Sequence, residues 1–158
     1  MGSEEKEISY TITNSYSTLN TLTKATKNVW FVCHGMGYLS RYFLKYFNEC
    51  NVVLGVEPTK GPAEAAIKAG VKTKIDFFDD DVALEIIEDH GQFDLILSNN
   101  MLAHTPDLMS VLSGVRRALN EDGKFIVEVQ YAADMFLDGK FDTVYHEHFC
   151  YYTIDSAI

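Results

Sequence analysis

From residue 28 onward the chain alternates short apolar runs with amphipathic stretches. The runs "VWFVC", "VVLGV", "FDLILS" and "FIVEV" are bounded by turn residues. Strands buried on both faces need this pattern. A weaker strand is predicted at "TKIDFF". Between the runs, apolar positions recur at helical spacing over 38–48, 61–69, 80–90 and 107–120. Pro62 suits a first helical turn. Asp80 or Asp81 can cap the third helix and Gly91 can end it, while Thr105, Pro106 and Asp107 start the fourth. "NEDG" reads as a turn.

Repeated β-α units joined by short loops predict an α/β protein. Its architecture is a Rossmann-like three-layer sandwich with a mostly parallel sheet and right-handed crossovers. Upstream, "EISYTIT" and "YSTLNTL" flank Asn14 and Ser15 and predict an N-terminal β-hairpin. The whole chain, 1–158, reads as a single domain. Its aromatic-rich last segment, "FDTVYHEHFCYYTIDSAI", closes on what looks like the start of a helix.

Apolar residues make up 47% of the 158, enough for a packed core. A formal charge of −10 argues against a nucleic-acid surface, which needs clustered Lys and Arg. It leaves room for a nucleotide cofactor, because backbone N–H groups and helix N-termini hold anions without net positive charge. Cys33, Cys50 and Cys150 form no CxxC pair and are odd in number, so a reducing compartment is expected. No apolar run approaches the roughly 18 residues a membrane span needs. The opening "MGSEEKEI" has no apolar stretch and does not read as a signal peptide. A cytoplasmic protein without a membrane or nucleic-acid partner is the expectation.

In open parallel sheets, ligands bind beyond the C-terminal strand ends, near the point where strand order reverses. Gly35 and Gly37 lie at the first such end. They form either a cofactor loop or simply a tight strand-to-helix turn, since G-x-G alone is a weak signal. Glu57 ends the second strand about 20 residues later, where a carboxylate can accept both hydroxyls of a ribose. Asp76 could accept from an adenine amino group, or belong with Asp79, Asp80 and Asp81 to a solvated acidic run. Asn99 and Asn100 end the fourth strand and offer amide donors and acceptors. His104 is a candidate general base, or a residue that merely caps or packs. "YHEHF", residues 145–149, is the densest titratable cluster. H-x-H with one acid is a weak metal signal, so no metal site is assigned. An acid–base group of Tyr145, Glu147 and His148 fits better, against the plainer reading of an aromatic segment closing over the sheet end. Neither a G-x-S-x-G elbow nor a GxxxxGK[ST] loop occurs.

The stretches "VLGVEPT", "DFFDDDVALEIIEDHGQFDLILSNNMLAHTPDL", "LNEDGKFIVEVQY" and "FDTVYHEHF" resemble the S-adenosylmethionine-dependent sugar C-methyltransferases, which act on nucleoside-diphosphate deoxysugars. The resemblance covers residues 51–158. It implies Glu57 on the cofactor ribose, Asp76 near adenine, and Asn99 and Asn100 lining the cofactor pocket. It also implies an acid–base group of His104, Tyr145, Glu147 and His148 beside a nucleotide-sugar substrate. In that family a base removes the proton next to a keto group, and the enolate carbon attacks the methyl group.

Residues 7–48 fit that family less well. Phe31 and Cys33 stand where it expects an acidic residue and the glycine that opens the loop. "SYTITNSYSTLNTLTKATKNVWFVCHGMGYLSRYFLKYF" resembles instead the start of small α/β-hydrolases of the esterase/phospholipase type, whose "HG" turn helps build an oxyanion hole. Together the two resemblances imply an engineered chimera joined near residues 49–51, with a natural divergent methyltransferase as the alternative. The activity implied is methyl transfer, impaired or absent because the cofactor loop is foreign and the family's last strands are missing. A catalytically silent scaffold and residual esterase activity are the competing expectations. The hairpin is expected to cover an outer edge of the sheet. The open edge of the fifth strand makes a homodimer an expectation too.

Overall fold

The structure is a computed structural model and describes residues 26–33, 35, 37–46, 51–139, 142 and 144–157. The expected N-terminal hairpin lies outside the described residues, as does Cys50.

The elements run β1 (Asn28–Val32), α1 (Tyr38–Tyr46), β2 (Val52–Val56), α2 (Lys60–Lys68), β3 (Lys72–Lys74), α3 (Asp80–His90) and β4 (Phe93–Asn99). A short 3-10 turn (Leu102–His104) follows. Then come α4 (Leu108–Ala118), β5 (Leu119–Glu128), α5 (Ala132–Leu137) and α6 (Ile154–Ala157). The five strands are parallel and ordered β3-β2-β1-β4-β5. Val29 lies opposite both Val53 and Leu95, so β1 is central and the strand order reverses between β1 and β4.

Alternation along the strands sends side chains into two cores, one on each face of the sheet. Val29, Phe31, Val53, Leu95 and Leu97 pack with Phe43 of α1. Trp30, Val32, Leu54, Val56 and Ile96 pack with Val82 and Ile86 of α3 and Val111 and Val115 of α4. Trp30 is fully buried and meets Phe78 edge-on, with ring centroids 4.8 Å apart. Two apolar faces covered by helices make the three-layer α/β sandwich that the sequence pattern requires. No helix among the described residues is long and apolar enough to cross a membrane.

Helix ends follow local hydrogen bonding. Asp79, rather than Asp80 or Asp81, caps α3 by accepting from Val82 N at 2.8 Å. Asp80 turns to α4 instead, pairing with Arg117 Nε at 2.8 Å and accepting from Ser113 Oγ at 3.0 Å. Gly114 lets those two helices close, since a Cβ there would sit 2.9 Å from Asp79 O and 3.0 Å from Ala83 Cβ. Asp107 caps α4 through Ser110 N at 3.0 Å.

Three elements depart from the sequence pattern. β3 stops at Lys74, and Ile75, Asp76 and Phe77 are exposed beyond it. The "NEDG" segment is not a separate turn but the irregular start of β5, with the register to β4 shifting between Phe93 and Leu95. Gln92 Nε2 donates to Arg117 O and Leu119 O, and Asn120 Nδ2 donates to Asp94, which binds this polar stretch to the sheet. α5 was not expected. It is 6 residues long, has no side-chain cap, and buries only Ala132 and Met135. Among the described residues no strand lies beyond β5.

Candidate functional site

The strand order reverses between β1 and β4, which makes the C-terminal ends of β1, β2, β4 and β5 the place to look for a ligand. After β1 the chain turns sharply. Cys33 adopts φ +51°, a left-handed conformation rare outside glycine, and Gly35 and Gly37 follow at +56° and +72°. Cys33 N donates to Val56 O at 2.7 Å, which ties the turn to the neighbouring strand. The Cys at the position where the family's glycine was expected therefore takes a glycine's conformation.

Glu57 anchors this turn from β2. One carboxylate oxygen accepts from Gly35 N at 2.8 Å and the other from Thr59 N, just ahead of α2, at 2.9 Å. Glu57 is only 6% exposed, so these bonds hold a charge that would otherwise be costly to bury. Burial, and secondly the Glu57 charge, push the Cys33 thiol from its ordinary value of 9.0 up to about 12. Cys33 is thus a neutral thiol at physiological pH and no nucleophile.

Asp76 is exposed at the end of β3, its Oδ1 accepting from Phe77 N at 2.9 Å. Phe77 beside it is 75% exposed and offers a flat apolar face at the rim. From the sequence, Phe77 falls within the strand-end segment 76–78 but is given no role there. The signal was an aromatic following the acid at a strand end, where burial would have been the ordinary expectation.

At the end of β4, Asn99 and Asn100 are exposed. Their Nδ2 groups donate to Glu128 of β5, at 2.8 Å to Oε2 and 3.1 Å to Oε1 respectively. Asn100 takes φ +52°, and its backbone N donates to Glu128 O at 2.7 Å. Glu128 was also missed, because the pairing joins residues 28 and 29 apart that no local pattern connects.

Next to Asn100 lies a hollow of about 160 Å³, lined among others by His104, Gln130, Tyr145, His148 and Tyr151. His104 and His148 have ring centroids 4.6 Å apart, and Tyr145 and His148 4.1 Å apart. His104 Nδ1 donates to Glu147 O at 3.1 Å. A carbonyl only accepts, so the neutral His104 ring leaves Nε2 as its free base. Nδ1 of His148 is buried without a protein partner among the described residues. Phe149 N donates to Ala103 O at 2.7 Å, which holds this segment on the 3-10 turn. Tyr152 Oη donates to Leu102 O at 3.2 Å and accepts from Cys150 Sγ, and burial first, then that bond, raises its hydroxyl pKa.

Three of the four expected acid–base residues, His104, Tyr145 and His148, therefore line one hollow. Glu147 contributes its backbone carbonyl, while its side chain is exposed and does not line the hollow. The arrangement can move a proton at His104 or His148 and donate hydrogen bonds from Tyr145.

A methyltransferase domain family model matches residues 18–157. The match spans both sides of the join expected near residues 49–51. The expected hydrolase parentage of residues 7–48, and the chimera built on it, find no support in these comparisons. The chain is 39% identical over 104 residues to the C-methyltransferase NovU of Streptomyces niveus, covering 66% of this chain. It spans about a quarter of that relative's length, 25%. Among solved structures it is similar to the YcgJ protein of Bacillus subtilis, with 21% identity and a TM-score of 0.63 over 89% of this chain and 64% of that one. It is also similar to the plantazolicin methyltransferase BpumL, determined with a desmethylPZN analog and SAH. That likeness has 12% identity and a TM-score of 0.63 over 83% of this chain and 49% of the other.

Proposed function

We propose that this chain, which belongs to the methyltransferase domain family, binds S-adenosylmethionine at the β1–β4 crevice and serves methyl transfer to a carbon of a nucleotide-linked keto-sugar. The observation that carries the reading is the meeting of His104, Tyr145 and His148 on one hollow next to Asn100. The C-methyltransferase name of the 39% identical relative, and SAH in the BpumL structure, support it.

The residues present fit the cofactor. Glu57 spends one lone pair of each carboxylate oxygen on a backbone N–H and keeps another for a ribose hydroxyl. A Cβ built on Gly35 would meet nothing within 4 Å among the described residues, which leaves space there for a ligand to approach. Asp76 and Phe77 supply an acceptor and an apolar face for adenine. Bound there, the cofactor would supply an electrophilic methyl group.

The protein's own part is acid–base chemistry. His104 Nε2, or the His148 ring where it lines the hollow, takes the proton from the carbon next to the keto group, and Tyr145 donates a hydrogen bond to the oxygen that gains charge. Slow turnover belongs to the proposal. The hollow of about 160 Å³ is small beside the roughly 300 Å³ and more of ordinary ligand sites. An esterase is disfavoured because the Cys33 thiol is held neutral.

The test separates the proton step from methyl transfer. Incubated in D2O with a 4-keto-deoxysugar nucleotide, the protein should wash deuterium into the carbon beside the keto group, read by NMR. His148→Gln should lower that rate by about a hundredfold. Adding methyl-labelled S-adenosylmethionine should place label on the same carbon. Neither exchange nor label above the uncatalysed rate would contradict the reading.

A further inference from the structure

We infer that Glu128 is a positioning residue that turns the amides of Asn99 and Asn100 so that the end of β4 recognises an ammonium group, the α-amino group of the cofactor's amino-acid end. The inference rests on the cofactor reading above and adds to it which atoms face that end and what sets them.

Both Nδ2 groups lie on the one carboxylate of Glu128, at 2.8 Å and 3.1 Å. An ionised carboxylate only accepts, so the amide atoms facing it must be the N–H donors. This fixes the orientation of both side chains, which their shape alone would leave ambiguous. With the NH2 groups turned toward Glu128, each Oδ1 is turned the other way. Among the described residues no protein donor occupies either Oδ1. Asn100 also borders the hollow beside the crevice.

Two further features show that the arrangement is held. Asn100 pays for a left-handed backbone at φ +52°, a conformation unusual outside glycine, and its N–H is taken by Glu128 O at 2.7 Å. Asn99 and Glu128 are register partners across β4 and β5, so the carboxylate and the amide beside it share one face of the sheet. The strand end therefore presents two carbonyl-type acceptors backed by a negative charge. A hydroxyl would gain only a hydrogen bond there. An ammonium gains the Coulomb attraction of Glu128 as well, and of the two it is the better match.

Glu128→Gln tests this at the least steric change. A Gln has one acceptor for two NH2 groups, so its own NH2 opposes one Asn and turns that amide over, while the charge is removed. Two ligands are titrated by calorimetry into the unaltered protein and into Glu128→Gln. One is S-adenosylhomocysteine. The other is 5′-methylthioadenosine, which keeps the adenosine and thioether but lacks the amino acid. The expected result is about a tenfold loss of S-adenosylhomocysteine affinity in the variant. The affinity for 5′-methylthioadenosine and the unfolding midpoint should stay unchanged. Unchanged S-adenosylhomocysteine binding in the variant, or equal losses for the two ligands, would overturn the inference. An unaltered protein that binds neither ligand would overturn the cofactor reading itself, and this inference with it.

Discussion

At the N-terminal end of the strands, Asp94 Oδ2 accepts from Lys27 N at 2.8 Å and Asn28 N at 2.9 Å, while Oδ1 accepts from Asn120 Nδ2. At the C-terminal end, among the described residues Glu57 and Glu128 each accept two side-chain or backbone N–H bonds, one per oxygen. The same device, a carboxylate on N–H donors, thus serves two tasks. Asp94, on β4, is drawn into tying the start of β1 and the start of β5 together. Glu57 and Glu128 hold their neighbours in unusual backbone geometry and keep acceptor capacity toward the crevice. The larger hollow, about 430 Å³, lies at the Asp94 end with Glu121 and Asp122 on its wall. Volume alone would favour the Asp94 end. Unspent hydrogen-bonding capacity at the reversal of strand order is the reason the site is proposed at the other.

This contrast can be broken by substitution. Asp94→Ala should have the largest effect. It leaves the N–H groups of Lys27 and Asn28 and the Asn120 amide without their acceptor. A loss of about 3 kcal/mol in stability is expected, read as a lower urea midpoint. Affinity for S-adenosylhomocysteine should not change once the protein is folded. Glu57→Gln should do the converse. Binding should fall about thirtyfold, and stability by only about 1 kcal/mol, because a backbone N–H facing the new amide nitrogen must find water. If Asp94→Ala weakened binding more than Glu57→Gln, the two ends would not differ as described.

A third prediction concerns pH. Folding raises the Cys33 thiol from 9.0 to about 12, so the native state holds its proton after the unfolded state has released it. That contribution is fully present below about pH 9 and is lost as pH rises toward 12. Stability should fall by about 1.4 kcal/mol per pH unit within that window. Cys33→Ala should flatten the dependence, as measured by denaturant midpoints across the series. The smallest expected signal is chemical. At pH 8 iodoacetamide should label Cys33 in the native protein far more slowly than in the unfolded chain.

Much of the fold was legible from residue 28 onward, because a strand buried on both faces cannot disguise its apolar run. "VVLGV" became β2 and "FDLILS" most of β4. Reading failed where polar side chains, rather than burial, decide the path. Gln92, Asp94 and Asn120 pull "NEDG" into β5, and that network joins segments 25 and more residues apart. The strand at "TKIDFF" shortened because Phe77 is turned to solvent, contrary to its composition. In the site, the positions of Gly35, Glu57, Asn99 and Asn100 follow from strand ends alone. The roles of Glu128, and of the Glu147 carbonyl instead of its carboxylate, depend on tertiary hydrogen bonds that a single sequence does not encode locally.

The most direct measurement is amide hydrogen exchange with and without S-adenosylhomocysteine, resolved by residue. Added protection at Gly35, Thr59 and Asn100, with Lys27, Asn28 and Asn120 unchanged, is the predicted result. No change at the first three, or protection appearing at the Asp94 end instead, would contradict the assignment of the crevice.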